Sequence, residues 1–174
     1  MRKRLLIAGA AVVIVLAGAL LLDARNSMNG SGGMTLGISR VQQGDDVYFL
    51  APPATNRSGQ ALELRTVTPE KVSAGLEFVD ARVYEQVDLN YSPSMSWVTG
   101  HGKGFDPAKV RSEPVAGRKV PAHASLEPLI YLHFRVTGTQ WPLISSGVRF
   151  SYHRGLRDHS ELIDSTYTVD SPNP

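Results

Sequence analysis

Five histidines, His101, His123, His133, His153 and His159, are the side chains best suited to metal or proton chemistry in this 174-residue chain. No two of them have the spacing of ligands on one helix face, and no His-Glu-x-x-His pattern occurs. His133 and His153 both lie on outward parities of apolar-alternating segments. If those two strands are neighbours, the imidazoles approach one another, and Met95 could add a soft ligand. Such a set suits copper better than magnesium. The alternative is a solvated sheet face with scattered histidines, and no cofactor is expected. Nucleophilic catalysis needs a serine or cysteine beside a base, yet there is no cysteine and no Gly-x-Ser-x-Gly elbow. Ser145-Ser146-Gly147 reads as a turn into a strand. Asp45-Asp46, and Asp80 with Glu85, read as solubilising charges, and Asp158-His159 as turn composition. The expectation is a protein that is not an enzyme.

Aromatic residues give a second kind of site. Tyr91, Trp97 and Phe105 fall in one long irregular stretch, Asn90–Pro114, and Trp141 in a later turn. They are the expected contact patch for a protein or glycan partner, unless the rings instead close the ends of the core.

Charge sets what those residues could meet. The chain carries 18 Lys and Arg against 16 Asp and Glu, with an isoelectric point near 9.0. Three of the cations are Arg2, Lys3 and Arg4, and no carboxylate precedes Asp23. Residues 23–174 therefore carry 15 cations against 16 anions. That near-neutral balance excludes a nucleic-acid partner, which would need a clustered positive surface.

The elements that must position these side chains begin with Leu5–Leu22, 18 residues free of charge. As a helix they would span roughly 27 Å, close to the thickness of a bilayer's hydrocarbon. Residues 1–4 form the cytoplasmic basic cluster, so Arg2, Lys3 and Arg4 orient residues 5–22 as a transmembrane helix or signal anchor. The lipid bilayer is thus one expected partner, and a protein of the cell envelope the other. In the rival reading the segment is a cleaved signal with its site at Ala17-Gly18-Ala19, which would release a secreted enzyme or accessory protein. Both readings put the rest of the chain outside the cytoplasm. Residues 23–33, rich in Gly, Ser and Asn, are expected as a flexible stalk.

Residues 34–174 show no sustained helical period. Short apolar runs separated by Pro, Gly, Asn and Ser predict seven or eight antiparallel strands in an immunoglobulin-like β-sandwich. The expected strands are Met34–Val41 at an edge, Val47–Leu50, Ala61–Val67 ended by Thr68-Pro69-Glu70, and Leu76–Val87. That last run is one strand or two, with a bulge or bend between Phe78 and Val83 because they differ in parity. The strongest strand is Pro128–Val136, its apolar face made by Ile130, Leu132, Phe134 and Val136. Val148–His153 and Glu161–Val169 complete the set. Arg154–Ser160 is read as their hairpin loop and Asp170–Pro174 as a frayed tail.

Three stretches together carry a resemblance: Thr55-Asn56-Arg57-Ser58-Gly59 before Leu62–Val67, Val120-Pro121 before 129–136, and Gly147–Tyr152. In this order they resemble uncharacterised membrane-anchored, extracytoplasmic Ig-like proteins of actinobacterial type. The early hairpin and the late Pro-led strand containing His133 also resemble periplasmic copper chaperones of cupredoxin-like fold. That second resemblance implies a copper-binding module using a His-x-Met pair in the late strand. Here the matching residues are His133-Phe134-Arg135, and a guanidinium cannot ligate copper.

Overall fold

A computed structural model describes residues 27–30, 33–85, 94–99, 106–127 and 129–171. Residues 1–26, with Arg2, Lys3, Arg4 and the span 5–22, lie outside the described residues, as do Tyr91, His101 and Phe105. Among the described residues there is no helix, and so none long and apolar enough to cross a membrane.

Twelve strands follow in chain order: β1 (Met28–Gly30), β2 (Met34–Ile38), β3 (Asp46–Leu50), β4 (Ala54–Asn56), β5 (Leu62–Val72), β6 (Leu76–Tyr84), β7 (Ser96–Val98), β8 (Glu113–Pro114), β9 (Lys119–Val120), β10 (Leu129–Val136), β11 (Leu143–Arg154) and β12 (Arg157–Val169). One sheet has the order β7-β3-β10-β6-β8 and the other β2-β12-β11-β5-β9, while β1 and β4 pair separately. All pairings are antiparallel except β2 with β12.

Alternation explains the two layers. Ile130, Leu132, Phe134 and Val136 point inward from β10, and Val148, Phe150 and Tyr152 from β11; all are buried. They join Val47 and Phe49 of β3, Leu62, Leu64 and Val67 of β5, and Tyr167 of β12 in one apolar cluster. Phe49 and Tyr167 meet across the layers with ring centroids 5.0 Å apart. The Tyr167 hydroxyl donates to the Leu50 carbonyl at 3.2 Å, so even this core phenol is satisfied. The described residues form an all-β sandwich.

Several expected boundaries move. Met28–Gly30, placed by composition in the stalk, form β1: Met28 is buried, and its N–H donates to Glu161 Oε1. Pro69 does not end β5. It sits opposite Val148 of β11, and β9 covers β5 only at Leu62 and Glu63, so the missing N–H faces an open edge. β6 is a single strand, and the bulge lies at Val79, skipped between the pairs Phe78–Phe134 and Asp80–His133. The loop read at Arg154–Ser160 shrinks to Gly155-Leu156, because Arg154 to Tyr152 pair with Arg157 to His159. Asp170 is held rather than frayed: its N–H donates to the Ile38 carbonyl at 2.8 Å.

Candidate functional site

The outer face of the first sheet carries a charged cluster centred on His133. Odd parity on β10 turns the ring away from the inter-sheet core, and the ladder sets it between Tyr48 of β3 and Asp80 of β6. The imidazole stacks on Tyr48 at 4.4 Å, the planes 8° apart. Its Nε2 lies 3.1 Å from Asp46 Oδ1 and its Nδ1 3.4 Å from Asp80 Oδ1. Neither contact has the alignment of a good hydrogen bond, so they count as charge proximity. Asp46 is also gripped by Arg135, whose Nε and Nη2 lie 3.0 and 3.3 Å from its two oxygens. Burial alone would raise the Asp46 carboxyl. The hydrogen bonds from Arg135, with His133 close beside them, outweigh it and hold the carboxyl below its ordinary value.

Beside this cluster the same face is apolar. Tyr48, Tyr84 and Tyr131 form a second buried group, with Leu50, Trp97, Val110 and Leu129 packed on it. Tyr84 and Tyr131 meet edge to face at 5.4 Å. Chain from the long irregular stretch covers them. The Tyr131 hydroxyl donates to the Ser94 carbonyl at 2.6 Å, and the Tyr84 hydroxyl to the Pro107 carbonyl at 3.2 Å. Desolvation pushes Tyr48 up to about 12 and raises Tyr84 and Tyr131 as well. The hydroxyls of Tyr84 and Tyr131 thus act as donors that tie the covering chain to the sheet.

The candidate metal ligands His133, His153 and Met95 are not brought together. β10 and β11 belong to different sheets, so His133 and His153 face outward on opposite sides of the sandwich. His153 Nδ1 instead meets the Asp158 carboxylate across the β11–β12 hairpin. Met95 is more than half exposed and lines an apolar cleft with Met34, Leu50, Pro53, Leu126 and Leu129. Among the described residues no group of three or more His, Asp or Glu is arranged to hold a metal ion.

The aromatic patch is also divided. Trp97, opposite Tyr48 on β7, packs on the tyrosine group, whereas Trp141 packs against the inter-sheet core. Trp141 has a further role, because it borders an open cleft of about 460 Å³ with Pro142, Ser39, Arg40, Asp170 and Ser171. Two backbone bonds build this cleft: the Arg40 N–H donates to the Ser171 carbonyl at 3.3 Å, and the Val41 N–H to the Asp170 carbonyl at 3.4 Å. Arg40 holds φ of 64°, a left-handed conformation that non-glycine residues seldom adopt. A flat indole beside a guanidinium and a carboxylate can bind a ligand that has both an apolar face and polar edges. Sequence reasoning found Trp141 but not Arg40 or Asp170, since only the parallel β2–β12 pairing brings residues 40 and 170 together.

The class this defines is an all-β sandwich with a charged, aromatic outer face and an aromatic-lined terminal cleft. No protein-family model matches the chain, and no curated protein matches it significantly.

Proposed function

We propose that this chain is a non-enzymatic, single-pass membrane protein that displays an Ig-like β-sandwich outside the cytoplasm and acts by binding a cell-envelope partner. The observation that carries it is the cleft around Trp141, Arg40 and Asp170, at the end of β12 opposite the β11–β12 hairpin. Arg154 of that hairpin bonds Ser27, the first described residue after the apolar span. The cleft therefore lies about 40 Å along β12 from the point of chain entry, given 13 residues at roughly 3.3 Å each. A binding site at the far end of an anchored domain is the one a partner reaches first.

The Ig-like assignment rests on strand order. β3-β10-β6 facing β12-β11-β5 follows the pattern of strands B-E-D against G-F-C in such sandwiches, and β2 beside β12 adds a parallel pairing of an early strand with the last. Orientation rests on Arg2, Lys3 and Arg4 before residues 5–22.

A photo-crosslinking residue at Ser39 of the full chain, in intact cells, tests this. The expected result is an adduct with an envelope component that disappears in Trp141→Ala. An adduct with cytoplasmic proteins, or one indifferent to Trp141, would overturn the proposal.

A further inference from the structure

The β11–β12 hairpin turns through two residues, Gly155 and Leu156. Gly155 has φ of 59°, the requirement at the first central position of a tight hairpin turn. Leu156 at the apex is fully exposed, the only large apolar residue among the described ones with no cover at all. Turn apices favour Gly, Asn, Asp and Ser, and the fold gains nothing from leucine there.

Its surroundings are cationic. Arg154 and Arg157 pair across the turn, which sets two guanidinium-bearing residues at the base of the apex. Gln60 lies beside Gly155, and the same turn of chain carries Arg57, exposed, whose N–H donates to the Ser27 carbonyl. Nearby carboxylates are committed elsewhere: Asp158 to His153, Glu161 to Met28 N–H and the Tyr152 hydroxyl, Glu63 to Arg65. Among the described residues, the side chains of Arg57 and Arg157 have no ion-pair partner.

Position decides what meets this tip. Arg154 Nη1 donates to Ser27 Oγ at 3.0 Å. The apolar span ends at Leu22, and five residue steps reach at most roughly 18 Å whatever their conformation. We infer that the Gly155-Leu156 tip docks on the surface of the bilayer that anchors the chain, with Leu156 among the acyl-chain ends and Arg57 and Arg157 on lipid phosphates. An apolar apex ringed by arginines matches the interface, where alkyl groups enter the boundary and guanidiniums hold phosphate. The contact would fix the tilt of the sandwich above the membrane. The inference rests on the anchored reading of residues 5–22.

Because the chain lacks cysteine, single spin labels can be placed without removing native thiols. Full chain in nanodiscs of phosphatidylcholine with phosphatidylglycerol would carry a label at Gln60→Cys, Ser39→Cys or Ile14→Cys. Accessibility to oxygen and to a nickel chelate would be read by electron paramagnetic resonance. The expected result is an oxygen-to-nickel ratio at 60 severalfold above that at 39, falling toward it in Leu156→Ser or Arg157→Glu. A label at 60 as aqueous as that at 39, or indifferent to both substitutions, with the label at 14 in lipid, would overturn the docking alone. An aqueous label at 14 would overturn the anchored reading and the docking with it.

Discussion

Asn56 shows how much one side chain can hold. It is fully buried, and its Nδ2 donates to the carbonyls of Gln60, Val120 and Pro121 at 2.8–3.1 Å. Its Oδ1 accepts from both the N–H and the hydroxyl of Ser58. The amide thus ties the turn after β4 to the chain leaving β9. Asn56→Ala strands several buried groups at once and should cost about 3 kcal/mol in urea unfolding. Asn56→Asp should cost more, since a carboxylate cannot donate to three carbonyls. Asp46 makes a prediction in pH. Its folded value lies below the ordinary 3.8, so its contribution is fully present above that value and is lost as pH falls through the lower folded one. Asp46→Asn should lower the thermal midpoint at neutral pH by a small amount, because Arg135 is open to solvent, and should flatten the acid limb of stability against pH. An unchanged acid limb would mean that the Arg135 and His133 contacts do not persist in solution.

At the scale of elements, a close backbone approach joins two turns. A Cβ on Gly138 would lie 2.6 Å from the Gly75 Cα, and Gly75 itself holds φ of 89°. The β5–β6 turn therefore packs directly on the β10–β11 connection, and the N–H groups of Thr137 and Gly138 both donate to the Gly75 carbonyl. Gly138→Ala should destabilise by about 1–3 kcal/mol as the two turns are forced apart, visible as a lower urea midpoint at unchanged slope. Such contacts explain what the sequence could and could not disclose. Alternation was enough to find β10, the second half of β11, β12 from Glu161 onward and the first half of β5, and parity showed that a bulge or bend lies between Phe78 and Val83, because those signals are local; Ser145 and Ser146, read as a turn, are instead paired on both sides within β11. Pro69 and the Arg154–Ser160 segment misled, since edge exposure and cross-strand pairing decide whether a proline or a polar run can stay in a ladder. The tyrosine group was hidden for a similar reason. Tyr131 occupies the wet parity of β10, and only the covering segment around Ser94 and Pro107 makes that parity dry.

For the whole molecule the question is where its charge is spent. Arg2, Lys3 and Arg4 account for the excess of positive charge, leaving residues 23–174 near neutrality. Long-range electrostatic steering of partners to the sandwich is therefore weak. Charge acts at short range instead, at His133, at the Trp141 cleft and at the arginines around Leu156. The two ends of β12 then divide the labour: cations with an exposed leucine at the end where the chain enters, an indole with a guanidinium and a carboxylate at the other. In the proposed topology this arrangement requires the sandwich to be outside, and the N-terminal triplet would set that. Changing Arg2, Lys3 and Arg4 together to Glu removes the positive-inside signal while leaving every described residue untouched. In cells carrying Ser39→Cys in the full chain, a membrane-impermeant maleimide should label the native triplet's protein before lysis. With the acidic triplet a large share of the protein should label only after lysis. Equal labelling before lysis for both would show that residues 2–4 do not direct the chain, and the cleaved-signal reading would then take precedence.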